Sequence, residues 1–284
     1  MEYIKSESGQ EFPMVGFGTF KMKDPEILEK MIDGAYKIGY RFFDTAWVYK
    51  NEGMIGNILE NLKIRKNIAL ATKIWPKDFK KDDTKMSIER SLKDLKTDYL
   101  DVMYLHWPGD FSDQAWKVME DYYEQGIIKN IAVSNFTEKH LEKLSLSANI
   151  KPMLDQIELH PYLQLNELID YLKKNKIIPL AWSPLSRGNS SLLNDQVLEK
   201  IGKKYNKTPA QIALKFNIER GVIVIPKTNH IERAKENFDL FDFRLTEEEM
   251  DQIKKIDKNE RSGGDPNDDE YLRNTQYSDR WKEV

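Results

Sequence analysis

Several short apolar runs in this chain end in a polar residue, and the polar residues differ in kind. The run FF gives way to Asp44, IALAT to Lys73, VMYL to His106, and IAV to Ser134 and Asn135. MLDQ carries Gln156, LAW gives way to Ser183, and VIVIP to Lys227 and Thr228. With Tyr49 shortly after Asp44, the chain offers a carboxylate, a phenol, an ammonium and an imidazole, and it has no cysteine. A free tyrosine has a pKa of about 10, too high to give up a proton readily near neutrality. A nearby ammonium favours the phenolate, and a carboxylate paired to that ammonium holds it in place. Tyrosine so placed is a general acid for a developing alkoxide, and a histidine beside it can orient or share the proton with a carbonyl oxygen. Taken singly, Tyr49 also reads as an aromatic packing residue and His106 as a hydrogen-bonded strand end. A metal centre is not expected. His106, His140, His160 and His230 show neither H-x-H nor H-E-x-x-H spacing, and Asp44 with His106 alone makes a poor ligand set.

The elements that carry these residues alternate. After a hairpin candidate (Tyr3–Lys5, Gly9, Glu11–Pro13), eight runs read as strands, starting at Met14, Arg41, Ile68, Leu100, Ile128, Met153, Ile177 and Val222. Between them, apolar residues three and four apart predict helices such as Glu26–Ile38, Asp83–Leu95, Gln114–Tyr123 and Leu165–Lys174. Asp24-Pro25 and Thr208-Pro209 read as helix starts. Strands recurring every ~25–45 residues suit βα units, and eight of them suit a closed (β/α)8 TIM barrel, whose chemistry sits at the C-terminal strand ends. An open doubly wound sheet is the structural alternative, but GFGTFK at Gly16 lacks the third glycine of the dinucleotide fingerprint.

Composition narrows the partners. The chain has 284 residues, 40% of them hydrophobic, with a net charge of −3 and both signs interspersed. No single-sign field recruits nucleic acid or a membrane surface. Without cysteine, disulfides, thiolate zinc sites and thiol catalysis are excluded. No apolar run reaches the ~18 residues that a bilayer span needs, and MEYIKSESGQ has no apolar signal core, so a cytoplasmic monomer without membrane or nucleic-acid partners is expected.

At DTAWVYKNE (from Asp44), ATKIWP (Ala71), YLHWP (Tyr104), IAVSNF (Ile131), DQIELHPY (Asp155), AWSPL (Ala181) and IPKTNHIERAKEN (Ile225), the chain resembles the aldo-keto reductase superfamily. It is most similar to the bacterial branch typified by 2,5-diketogluconate reductases. The matches run in family order over nearly the whole chain. The resemblance implies a single barrel domain over residues 1–284, with an N-terminal β-hairpin and extra C-terminal helices, that reduces aldehydes and ketones with NADPH. It implies a catalytic tetrad of Asp44, Tyr49, Lys73 and His106, with Tyr49 as proton donor. It assigns Ser134, Asn135 and Gln156 to the nicotinamide carboxamide, Trp182 to stacking on the nicotinamide ring, and Ser183 and Leu185 to the pyrophosphate. Lys227, Thr228 and Arg233 fall to the adenosine 2′-phosphate, and Glu236 and Asn237 to the adenine. Phe20, Trp47, Trp75 and Trp107 match positions that line the substrate pocket, which suits small apolar or planar carbonyls. Non-catalytic members of the superfamily exist, so an NADPH-binding structural or regulatory protein is the competing reading. The presence of the whole tetrad favours the enzyme. Many relatives have Tyr at position 182 and Asn at position 155. The segment after His106 (WPGDFSDQAW) is short, which predicts a more open mouth, and DKNERSGGDPNDDEY resembles a tail that folds over it.

Overall fold

The computed structural model describes residues 1–278. A short antiparallel hairpin, β1 (Tyr3–Lys5) and β2 (Glu11–Pro13), turns at Gly9, whose φ of 88° suits glycine. Eight parallel strands follow: β3 (Phe17–Gly18), β4 (Phe42–Asp44), β5 (Ala69–Ile74), β6 (Val102–Leu105), β7 (Ile131–Ser134), β8 (Leu154–Glu158), β9 (Ile178–Trp182) and β10 (Ile223–Ile225). Each falls on one of the eight runs expected from the sequence, β5 overrunning its own by one residue, Ile74. Neighbours in the sheet are neighbours in the chain, with no reversal of order. The first and last strands meet through Val224 N to Met14 O (3.0 Å), Gly16 N to Val224 O (2.9 Å) and Gly18 N to Pro226 O (3.1 Å). That seam decides for a barrel over an open doubly wound sheet.

Helices alternate with the strands: α1 (Pro25–Ile38), α2 (Glu52–Leu62), α3 (Lys81–Asp94), α4 (Ser112–Glu124), α5 (Glu138–Ser145) and α6 (Asn166–Lys174). After β9 come α7 (Ser190–Leu193), α8 (Gln196–Tyr205) and α9 (Pro209–Glu219). After β10 come α10 (Ile231–Phe238), α11 (Glu247–Lys254) and α12 (Asp269–Tyr277). Local chemistry explains their ends. The Asp24 carboxylate accepts from the amides of Glu26 and Ile27, Pro25 supplies the fixed φ of a first helical residue, and Gly39 (φ 126°) stops the helix. Leu28, Met31, Ile32 and Ala35 then bury one face at helical spacing. Thr208 and Gln211 form a reciprocal capping box on α9.

One tie between layers is ionisable. Glu52, at the start of α2, is buried and accepts from Thr72 Oγ1 on β5 (2.5 Å) and Ser91 Oγ on α3 (3.2 Å). Burial pushes its pKa up to about 7, although both hydroxyls pull it down. A carboxyl whose folded pKa exceeds its unfolded value stabilises the fold most when protonated. Its contribution is therefore intact below about pH 4.5 and declines as pH rises through 7, by up to about 3 kcal/mol. Glu52→Gln, which is neutral throughout, is expected to lose less thermal stability than the wild type between pH 5 and pH 8. Melting curves at the two pH values check this, and parallel losses in both proteins would refute it.

Candidate active site

The barrel delivers the polar strand ends to one rim. Lys73, inside β5, is fully buried; its ammonium donates to Asp44 Oδ2 (2.6 Å) and to the Thr45 carbonyl (2.8 Å). Asp44, at the end of β4, accepts at its other oxygen from Gln156 Nε2 on β8 (2.8 Å). Three strands are thus joined through one carboxylate. Tyr49 ends a 3-10 turn (Trp47–Tyr49) directly after β4, and its ring centroid stands 5.3 Å from the Lys73 ammonium. The His106 ring packs edge-on at 5.8 Å from the Tyr49 ring and 5.0 Å from Trp75. Phe20 closes the far side of Tyr49 at 5.0 Å.

The electrostatics are set by burial. The Tyr49 phenol is held well above its ordinary pKa, first by desolvation and then by the Asp44 charge, with Arg187 opposing. This differs from the expectation that a neighbouring ammonium lowers it: Lys73 is already engaged by Asp44 and is itself shifted down by burial. His106 is pushed well below its usual value by burial and by Lys73, so its imidazole is neutral near pH 7. Its Nδ1 has no hydrogen-bond partner among the described residues.

Beside this cluster, Ser134 Oγ donates to the Gln156 carbonyl (2.8 Å), and Asn135 Nδ2 donates to the His106 carbonyl (3.1 Å) and to Ser134 Oγ (3.1 Å). Trp182 Nε1 donates to Asn135 Oδ1 (2.8 Å), which fixes one edge of the indole. Asn135 (φ 63°) and Ser183 (φ 48°) both hold left-handed backbone, costing a non-glycine residue of order 1 kcal/mol and turning the chain sharply off β7 and β9. Asp155, on the alternate face of β8, is fully buried, and burial pushes its carboxyl well up.

A cleft of about 910 Å³ opens over these groups. It is lined by Asp44, Tyr49, His106, Ser134, Asn135, Gln156, Trp182, Ser183 and Leu185, and farther out by Lys227, Thr228, Arg233, Glu236 and Asn237. Phe20, Trp75 and Trp107 form its inner aromatic wall. Lys73 lies behind the lining, bonded to Asp44. Trp47 does not line the cleft: Lys50, Lys77 and Arg90 gather on its ring at 3.4, 4.8 and 4.0 Å. Among the lining residues not expected from the sequence are Lys21 and Arg187, while Tyr271 comes from the tail expected over the mouth. The short segment after His106 meets the C-terminal helix. There α12 is fastened by Trp75 Nε1 to the Thr275 carbonyl (3.0 Å) and by Gln276, which accepts from Asp110 N (2.8 Å) and donates to Asp110 O (3.1 Å).

The outer end of the cleft suits an anion. The N-terminus of α10 has no side-chain cap, and the amide of His230 bonds back to Thr228 Oγ1 (3.1 Å). Lys227 and Arg233 have no acidic partner among the described residues. Uncapped amides and two free cations together make a phosphate-type site. No grouping of histidine and acidic residues among those described could hold a metal ion.

Comparison with known proteins points the same way. The family model described as "Aldo/keto reductase family" matches residues 14–258. Glyoxal reductase of Bacillus subtilis (strain 168) is 42% identical over 271 residues, covering 95% of this chain and 97% of that protein. Methylglyoxal reductase DkgA of Escherichia coli (strain K12) is 38% identical over 267 residues, covering 93% and 96%. The crystal structure of an aldo-keto reductase (AKR2E5) complexed with NADPH superposes with a TM-score of 0.87 at 29% identity, covering 93% of this chain and 90% of that one.

The Asp44–Lys73 pair generates a test independent of any activity. Asp44→Asn leaves a buried ammonium without its counter-charge, which costs about 3–5 kcal/mol. Lys73→Met leaves the carboxylate similarly exposed to a low-dielectric interior. The double variant is expected to be destabilised by much less than the sum of the singles, as urea unfolding of all four proteins reports. Additive losses would mean that the two charges do not depend on each other.

Proposed function

The chain belongs to the aldo/keto reductase family, and from that premise we propose that its substrates are small α-dicarbonyls and aromatic aldehydes. It is an NADPH-dependent oxidoreductase acting on small carbonyl compounds. The observation that carries the reading is the convergence, in one cleft, of the tethered Asp44–Lys73 pair, Tyr49 and His106 beneath an aromatic wall. Two of the relatives are named for reducing glyoxal and methylglyoxal. The flat faces of Phe20, Trp75 and Trp107 suit planar carbonyl groups of that size. Within the family we favour kinship with the 2,5-diketogluconate reductase branch, on the sequence runs quoted above. We further propose a single domain that works as a cytoplasmic monomer without nucleic acid. Its charges are interspersed, and no helix among the described residues is long and apolar enough to cross a membrane.

The residues present fit the cofactor. Lys227, Thr228 and Arg233 at the uncapped start of α10 would take the 2′-phosphate, Glu236 and Asn237 the adenine, and Ser183 and Leu185 the pyrophosphate side. Ser134, Asn135 and Gln156 would hold the carboxamide, with Trp182 against the ring. The chemistry supplied by bound NADPH is hydride donation to the carbonyl carbon. Tyr49 does the matching proton work: burial keeps its phenol protonated, and it gives that proton to the carbonyl oxygen as negative charge develops there. Lys73, fixed by Asp44 and the Thr45 carbonyl, offsets the phenolate left behind. His106, neutral, steers the carbonyl oxygen without competing for the proton. The aromatic wall excludes water from the exchange.

The test is a ranking of kcat/KM for NADPH oxidation over α-dicarbonyls, aromatic aldehydes and keto-sugars, run beside Tyr49→Phe. We expect the first two classes to lead, and the variant to keep its cofactor affinity while its rate falls at least ~10²-fold. A Tyr49→Phe rate near wild type would overturn the proton-donor role, and a clear lead for keto-sugars would overturn the substrate class. The phosphate site makes a separate prediction. The wild type should prefer NADPH to NADH, and Arg233→Ala should narrow that preference by roughly tenfold, with high salt acting in the same direction because Arg233 is exposed. Equal kcat/KM for both cofactors in the wild type would refute it.

A further inference from the structure

Glu158 ends β8 as the register partner of Trp182 on β9 and is 1% exposed. A stretch of chain 104 residues later takes up both of its oxygens. The Ser262 amide donates to Oε1 at 2.7 Å, the Ser262 hydroxyl donates to the same oxygen, and the Gly263 amide donates to Oε2 at 3.1 Å. Burial alone would raise the pKa of Glu158. The His160 imidazole (Nε2 3.4 Å away) and the hydroxyl and amide of Ser262 more than offset that, so the carboxylate stays ionised and remains a strong acceptor.

The pinned residues form a strap between α11 and α12, and the strap has no spare room. A Cβ on Gly263 would stand 2.4 Å from Trp182 Cη2 and 3.2 Å from Cζ3, the outer edge of the indole. A Cβ on Gly264 would meet Tyr271 Cζ at 1.9 Å, and the Tyr271 ring packs on Trp107 at 5.2 Å. The indole is therefore held at two edges, by Asn135 at its nitrogen and by the strap at its benzo ring. Asn135 also holds the His106 carbonyl, so a tilt of the indole reaches the residue beside Tyr49.

We propose that Glu158 is a positioning residue: by pinning Ser262 and Gly263 it seats the strap against Trp182 and so sets how far the indole stands into the cleft. Its consequence for the cofactor rests on the proposed stacking role of Trp182. Chain flexibility alone does not explain a bare glycine here; a methyl at position 263 would push a rigid bicyclic ring rather than the far end of a flexible side chain.

The experiment uses full-length protein labelled with 5-fluorotryptophan, in which the Trp182 fluorine resonance is assigned by its loss in Trp182→Tyr. We expect that resonance to move in both Glu158→Gln and Gly263→Ala, while circular dichroism shows both variants folded. The NADPH dissociation constant should rise roughly three- to tenfold in each, the span expected for a displaced aromatic contact. In Gly263→Ala/Trp182→Tyr the affinity should return to that of Trp182→Tyr alone, because the smaller ring leaves space for the methyl. A general structural defect would not be rescued by shrinking one ring. An unmoved Trp182 resonance in both variants overturns the proposal, as does a Gly263→Ala defect that persists on the tyrosine background. Unchanged affinity in Gly263→Ala, when Trp182→Ala does weaken binding, overturns it too. A moved resonance with affinity unchanged even in Trp182→Ala upholds the seating of the indole and overturns the cofactor role of Trp182.

Discussion

Two opposite charges, Lys73 and Asp44, sit in contact inside the barrel with almost no access to solvent. Removing them from water costs several kcal/mol per ion, and their attraction recovers that only when geometry is good and the remaining hydrogen-bonding groups are satisfied. Here it is: the ammonium also bonds the Thr45 carbonyl, and the second carboxylate oxygen takes the Gln156 amide. β4, β5 and β8 therefore have to arrive in one register for the pair to be tolerable. That requirement ties function to fold more tightly than apolar packing could, since an apolar core accepts small shifts that a buried ion pair does not.

The same pair alters the acid–base logic of its neighbours. An ammonium near a phenol is expected to lower the phenol's pKa, but Lys73 has its charge answered by Asp44, and the carboxylate acts on Tyr49 in the opposite direction. Burial then dominates, and Tyr49 stays protonated while His106 stays neutral. Both groups are held in the forms that reduction of a carbonyl uses, a proton donor and an uncharged hydrogen-bonding partner. In the proposed mechanism the pair's contribution comes after proton transfer, when a phenolate would otherwise be left in a low-dielectric site.

What the sequence shows clearly is periodicity. Apolar runs that end in polar residues place Asp44, His106, Ser134, Ser183 and Lys227 at or just past strand ends, and Lys73 and Gln156 inside β5 and β8, because a parallel barrel strand is buried on both faces until it leaves the barrel. Direction is harder to read. Trp47 and Tyr49 are two residues apart in a 3-10 turn, where successive side chains are about 120° apart, so Tyr49 reaches the cleft and Trp47 faces Lys50, Lys77 and Arg90 instead. Lys21 and Arg187 were missed for a related reason: Lys21 sits in a turn and Arg187 in the 3-10 turn Ser186–Gly188, both in left-handed backbone (φ 58° and 53°), where no period predicts which way a side chain points.

The least legible contacts are those between distant parts of the chain. Glu158 lies two residues after Gln156, so strand alternation puts both on one face of β8. Nothing in its surroundings, however, announces that Ser262 and Gly263 will come to it. The glycines of RSGG look like loop punctuation in sequence, yet in the fold each abuts an aromatic ring, Trp182 and Tyr271. The tail thereby acts as part of the wall rather than as a cover laid over a finished site. Part of the cleft wall is thus set where a long-range bond holds a loop against aromatic rings, and that is where sequence patterns of short period carry least information.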